Sequence, residues 1–267
     1  MQNMSERIAD YLAGTLTVLV LGILYAPVAI SALFSVVEIK GGHILWDSFT
    51  LQHYVTLWSN PTVIDSLQNT AVVALTSVFF ATILAVSLAL YAEWQGAVGK
   101  RILEVTIYLP FLLPPIVTGL SLLITSAQLD ISRGVTTIII GHTVFVLAVV
   151  YRLILTRLQT LPKSMIEASS DLGATHFQTF RFIILPYMMS AITTGAVLAL
   201  TLSFDETLIS VFLAGDRMTL PLRLWAMMRV GFTQQINALV TIVLLISLVL
   251  AAAVAFRLKL GNQSNAE

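Results

Sequence analysis

Asp205 and Glu206 stand side by side in residues 182–215, a stretch with no other charge and long enough to cross a bilayer. Each carboxylate at such a depth costs about 2.5–3.5 kcal/mol on insertion scales, so a pair must serve something. Paired carboxylates can replace the water around a cation, or carry protons. Residues one apart do not share a helix face. One of the two can therefore face a path while its neighbour looks sideways to an interface or back to the surface. Counted from Pro186 at ~1.5 Å per residue, Asp205 lies roughly 28 Å along a straight helix, toward the outer leaflet. That depth suits an outer gate better than a midplane pocket. The plainer reading is a structural pair balancing Arg217, Arg223 or Arg229 in the adjoining loop.

The second informative stretch is 163–186, KSMIEASSDLGATHFQTFRFIILP, a polar insert between two very apolar segments. Ser164 with Glu167 three residues on is a capping-box pattern that starts a helix near Met165. Gly173 is placed to end that helix in a left-handed turn. Thr175 with Gln178 repeats the box and starts a second helix, and Pro186 sits near the start of the next membrane run. Met165, Ile166 and Leu172 give the first helix an apolar face, with Glu167 and Asp171 on a polar one. Pattern alone leaves two readings open, a docking element and an ordinary surface hairpin.

Other chemistries are poorly represented. The chain has no cysteine, which removes disulfides, thiolate metal sites and cysteine nucleophiles. Gly96-Ala-Val-Gly99-Lys100-Arg101 lacks the glycine spacing and terminal Ser or Thr of a phosphate loop and reads as a basic turn. His43, His53 and His176 have no ligand-like spacing, so no metal site is expected. His142 follows Gly141 in an apolar run and reads as a buried, hydrogen-bonded core histidine before a proton relay. Gln68, Asn69, Gln234, Gln235 and Asn237 suit interhelical hydrogen bonds. No catalytic dyad is apparent, and a net charge of zero offers no surface for nucleic acid.

The elements that must position these residues are membrane helices. Of the 267 residues 57% are hydrophobic and 10% charged, with a mean hydropathy of +0.91, beyond what a soluble domain needs. Runs at 11–37, 66–92, 105–129, 134–151, 182–215 and 230–256, uncharged except for Asp205 and Glu206 in the fifth, are continuous rather than alternating, which indicates helices. The first run is longer than the ~7–15 residues of a signal-peptide core and reads as an anchor. Pro110, Pro114 and Pro115 are expected to kink the third unless it begins near Pro114. Of the 14 Lys and Arg, nine fall on one side (Arg7, Lys100, Arg101, Arg152, Arg157, Lys163, Arg181, Arg257, Lys259). Five fall on the other (Lys40, Arg133, Arg217, Arg223, Arg229). This bias places both termini and the 163–186 loop in the cytoplasm. Trp46, Tyr54 and Trp58 suit an interfacial belt in the outer 38–65 loop. The expectation is an all-α, polytopic fold of six spans, one transmembrane domain over 1–267 with no internal repeat.

Residues 163–186 resemble the cytoplasmic signature of ABC-importer permeases, Glu-Ala-Ala-x3-Gly-x9-Ile-x-Leu-Pro. Glu167, Ala168, Gly173, Ile183, Leu185 and Pro186 fall in register, and Ser169 stands where the motif has Ala. The resemblance extends along most of the chain, through FTLQHY at 49–54, NT at 69–70, PPIVTGLSL at 114–122 and GHT at 141–143. It continues through LSFDE at 202–206, TLPL at 219–222 and INA at 236–238, and is nearest to polyamine-type permeases, the second permease of spermidine and putrescine importers. It implies the type I importer permease fold. The first short helix would be the coupling helix, seated in a groove of an ATP-binding subunit, with Glu167, Ala168, Ser169 and Gly173 as its coupling positions.

The resemblance also implies a pair of ATPase subunits holding ATP and Mg, a second permease and an external solute-binding protein, with no cofactor in this chain. It implies an inner-membrane location and a non-catalytic transport subunit. Polyamines are polycations and need carboxylates or aromatic faces to replace lost water, which favours a substrate role for Asp205 and Glu206. The family often has Leu-Asp-Asp where this chain has Phe204-Asp205-Glu206. Alternatives within transport are an opine, an amino-acid derivative or a phosphonate. An ion-coupled secondary transporter fits less well, since it predicts midplane charges and two related halves. An intramembrane hydrolase is more distant.

Overall fold

The computed structural model describes residues 4–40, 43–93, 96–230 and 233–263. In chain order these form α1 (Met4–Phe34), β1 (Val37–Lys40), β2 (His43–Phe49), α2 (Gln52–Trp58), α3 (Pro61–Glu93), α4 (Lys100–Leu112), α5 (Pro115–Gln128) and α6 (Val135–Gln159). There follow α7 (Lys163–Asp171), α8 (His176–Thr179), a π-helical turn (Phe180–Ile184), α9 (Leu185–Asp205), α10 (Leu208–Leu213), α11 (Leu220–Val230) and α12 (Gln234–Gln263). Contacts divide the chain into one unit of Met1–Pro61 with Leu224–Leu245 and another of Thr62–Arg223 with Ile246–Glu267.

In the first unit, α1 is apolar on all sides, with Leu16, Val18, Ile23 and Leu24 exposed, as suits a helix surrounded by lipid or protein. Thr15 and Thr17 return their hydroxyls to the carbonyls of Tyr11 and Ala13, both at 2.8 Å, which satisfies them where water is absent. The expected interfacial loop contains a short antiparallel hairpin, β1 with β2, an addition to the all-helical expectation. Trp46 and Trp58 remain exposed there, while Tyr54 turns inward and its hydroxyl lies 2.7 Å from that of Ser35.

The second unit carries the two stretches singled out above. Its centre is α6, where Ile138, Val146, Tyr151 and Ile154 are fully buried, and its most extensive partner is α9. Along α3, fully buried Ala81, Ala85 and Ala89 recur every fourth residue, the small-residue stripe by which membrane helices approach closely.

Among the described residues five helices are long and apolar enough to cross a membrane, and a bent pair makes a sixth candidate. Two of the expected runs are not single helices. The third breaks at Leu113 and Pro114, where α4 and α5 diverge by 109°. Pro114 lacks an N–H and holds extended backbone at ψ 133°, so the helix cannot continue through it. The Thr118 hydroxyl donates to the Pro110 carbonyl at 3.2 Å and satisfies a group that the break would otherwise leave exposed. The fifth run ends at Asp205 and resumes at Leu208 as α10, with Glu206 extended at ψ 111°.

Between Thr179 and Leu185 the chain widens into a π turn instead of stopping. Pro186 has no N–H to donate and its ring clashes with the carbonyl four residues back. A wider turn relieves both problems. The result is one helix from His176 to Asp205.

Candidate functional site

The loop between α6 and α9 holds most of the expected geometry, with one correction. Its first helix begins at Lys163 with Pro162 as N-cap and no side-chain capping bond. Proline presets the helical φ and needs no N–H partner, so the helix starts ahead of Ser164. That serine then lies inside the first turn, and the Ser164–Glu167 box does not form. Glu167 and Ala168 are exposed instead.

Gly173 ends α7 at φ +77°. The Ala174 N–H donates to the Ser169 carbonyl at 3.0 Å and the Gly173 N–H to Ser170 at 2.9 Å. These two bonds are the Schellman pairing. The second box is present: the Thr175 N–H donates to Gln178 Oε1 at 2.8 Å and the Gln178 N–H to Thr175 Oγ1 at 3.3 Å.

Ser169, where the signature has Ala, is the one buried residue of α7. Its hydroxyl donates to the Ile166 carbonyl at 2.8 Å and lies 2.9 Å from the Thr179 hydroxyl. The position therefore binds α7 to α8 within the chain. Met165, Ala168 and Leu172 line an open apolar groove with Phe182 and Ile183, and Leu172 is 88% exposed.

The base of the loop is closed by contacts that the sequence pattern did not announce. Arg157 Nε donates to the Tyr187 carbonyl at 3.2 Å, and its guanidinium stands 4.2 Å from the centre of the Tyr187 ring. The Tyr187 hydroxyl donates to the Thr160 carbonyl at 3.0 Å. A basic residue one turn before a helix end, with an aromatic opening the next long helix, was the available signal.

Asp205 and Glu206 mark an interruption. Because the helix stops between them, the expectation that successive residues splay around one helix does not apply. The Glu206 carboxylate accepts from the Ile209 N–H at 3.0 Å and so caps α10. Asp205 is exposed, and its Oδ1 accepts from the Ser247 hydroxyl at 3.2 Å. Neither pairs with Arg217 or Arg223. Those two line a separate cavity of about 210 Å³ with Asp65 and Asp216, and Arg223 Nη2 donates to the Thr62 hydroxyl at 2.8 Å.

Segments far apart in sequence converge on the break. His142 of α6 is 1% exposed, with Nδ1 2.8 Å from Ser203 Oγ and Nε2 3.0 Å from Ser210 Oγ. A Cβ added at Gly141 would stand 2.7 Å from both Ile209 and Leu213, and one at Gly119 would stand 2.9 Å from Phe212. α10 thus lies almost on the backbones of α5 and α6. Among the described residues no cluster of His, Cys, Asp or Glu is arranged to hold a metal.

Residues 81–260 match a family described as binding-protein-dependent transport system inner membrane component. The chain is 34% identical over 231 residues to the spermidine/putrescine transport system permease protein PotC of Escherichia coli (strain K12), covering 86% of this chain and 87% of that one. It is also 34% identical over 242 residues to the putrescine transport system permease protein PotI of the same strain, covering 86% and 85%. Among solved structures, a bacterial ABC transporter involved in import of the acidic polysaccharide alginate superposes with a TM-score of 0.69 at 15% identity, over 97% of this chain and 96% of that one. The MetNI methionine ABC transporter gives 0.63 at 17% identity, over 75% and 95%. At such identities the likeness is one of fold.

Proposed function

The chain belongs to the family of inner membrane components of binding-protein-dependent transport systems, and on that premise we propose that it forms, with a second permease, the path for uptake of a polyamine such as spermidine or putrescine. ATP hydrolysis on a separate pair of subunits drives the step, and an external solute-binding protein delivers the substrate. ATP and Mg belong to that pair. The 163–186 loop and both termini face the cytoplasm.

The observation that carries this reading is the helix from His176 to Asp205. It starts in the loop fixed by Gly173 and the Thr175–Gln178 box, and it ends at two carboxylates about 30 residues away. Glu167, Ala168 and Gly173 present α7 to the ATPase, and Ser169 fixes it to the helix that must move. Asp205 and Glu206, at the far end, form the substrate path or outer gate. Carboxylates at a break suit a polycation, because charge-assisted bonds are roughly twice as strong as neutral ones. Identity to permeases named for spermidine and putrescine supports the same class.

The test is uptake of labelled spermidine and putrescine by the assembled complex in proteoliposomes, with ATP inside and loaded binding protein outside. ATP-dependent accumulation of either supports the proposal. Accumulation of an opine, amino-acid derivative or phosphonate in place of both polyamines would replace the substrate and leave the coupling reading intact.

A further inference from the structure

We propose that His142 is a positioning residue for transport, holding the break between α9 and α10 in the geometry that presents Asp205 and Glu206. The inference rests on the reading that these carboxylates handle substrate, but its geometric content stands apart from it.

Ser203 lies two residues before the end of α9 and Ser210 lies in α10, so the imidazole bridges the interruption from both sides. One ring nitrogen of a neutral imidazole donates and the other accepts, and a hydroxyl can do either, so both serines can pair with the ring. The Ser210 hydroxyl also reaches the Glu206 carbonyl at 3.2 Å. The result is a continuous polar chain, Ser203 to His142 to Ser210 to the carbonyl of Glu206. Each member is satisfied, in a place where an orphaned polar group is costly.

The chain ends on the backbone of the residue whose carboxylate caps α10. Gly119 and Gly141 let α10 sit where Ile209 and Phe212 leave no room for a side chain, so packing fixes its distance from α5 and α6. Packing of this kind leaves rotation and sliding of α10 less constrained, and the directional bonds of His142 restrict both. Without the imidazole, Ser210 keeps its bond to Glu206 but loses its tie to α6, and Ser203 loses its partner. The two sides of the break are then no longer fixed to each other.

The experiment uses the full transporter and the absence of native cysteine. Leu208→Cys places a thiol at the first residue of α10, and its labelling rate reports where the break sits. With His142→Leu added, the labelling rate should change at least threefold. Uptake per assembled complex should fall about tenfold, chiefly as a raised apparent KM. His142→Gln, which keeps one donor and one acceptor, should recover part of both. In a double-mutant cycle, Asp205→Asn should cost little more once His142 is Leu, because the carboxylate is then already misplaced.

Fully additive losses, or an unchanged labelling rate, would overturn the proposal. So would reduced assembly with normal uptake per complex, which is what a purely structural histidine gives. If His142→Leu fails to assemble, Ser210→Ala carries the same labelling and cycle measurements. If the native complex takes up no polyamine, a changed labelling rate still upholds the clamp while the substrate reading fails.

Discussion

The hydroxyl of Thr179 lies 2.9 Å from that of Ser169, and both residues are buried within the loop. Ser169 spends its own proton on the Ile166 carbonyl, so Thr179 is the donor between them. Ser169→Ala would leave the Thr179 hydroxyl without its acceptor, a cost of about 1–3 kcal/mol. Thr179→Val leaves Ser169 satisfied by Ile166 and should cost less than about 1 kcal/mol. The double variant Ser169→Ala with Thr179→Val removes both partners and should be nearly neutral. Thermal unfolding of the detergent-solubilised complex would check the order. The same three proteins should rank alike in uptake per ATP hydrolysed, since the bond joins α7 to the helix ending at Asp205.

Gly173 tests the aim of α7 separately from its packing. A Cβ there would meet nothing within 4 Å, yet φ is +77°. Substitution is penalised by the backbone alone, by about 1–2 kcal/mol for an ordinary side chain. Asn tolerates this region, so Gly173→Asn should retain most uptake and Gly173→Val should retain little while still inserting. Equal activity of the two variants would show that the turn does not aim the helix.

Glu167 makes no bond to another described residue, so Glu167→Arg should shift stability by no more than about 0.5 kcal/mol, as is usual for surface positions. Uptake should nevertheless fall steeply, with ATPase binding weakened in a pull-down of the complex. Normal uptake would remove Glu167 from the docking face.

Gly141→Ala tests the close approach of α10. Its Cβ would fall 2.7 Å from Ile209 Cγ2 and Leu213 Cδ1, and overpacking of this kind costs about 1–3 kcal/mol. A drop in uptake per complex larger than the drop in assembly is expected, because the displaced helix carries the cap formed by Glu206.

Much of this was legible in the sequence where local chemistry decides the outcome. Gly173 and the Thr175–Gln178 box take the form their residue types dictate. Where two local signals competed, the pattern misled: Pro162 outweighed Ser164 as the start of α7, because a preset φ needs no partner. An apolar run gives length but not continuity, which is why the bend at Pro114 was only half expected and the stop after Asp205 was not. His142 was readable as a bonded core residue, yet its partners lie 61 and 68 residues away, and no spacing rule reaches so far. Glu206 three residues before Ile209 was a cap signal that its apolar surroundings concealed.

The break makes the carboxylates unusually clean to test. Asp205→Asn keeps an oxygen that can accept from Ser247, and Glu206→Gln keeps one that can accept from the Ile209 N–H, so both variants change charge with little change in geometry. Glu206 is committed to capping α10 and is less exposed, whereas Asp205 is open and held by one hydroxyl. If a cationic amine passes the break, Asp205→Asn should lose about 1–3 kcal/mol of interaction, several- to a hundredfold in apparent affinity or rate. Glu206→Gln should lose clearly less. Uptake of labelled spermidine and putrescine, normalised to assembled complex, gives the comparison directly. A structural pair would instead reduce assembly and leave uptake per complex unchanged in both variants. Equal and normal uptake would end the substrate role of these residues, while the tie between the 163–186 loop and the far end of α9 would still stand.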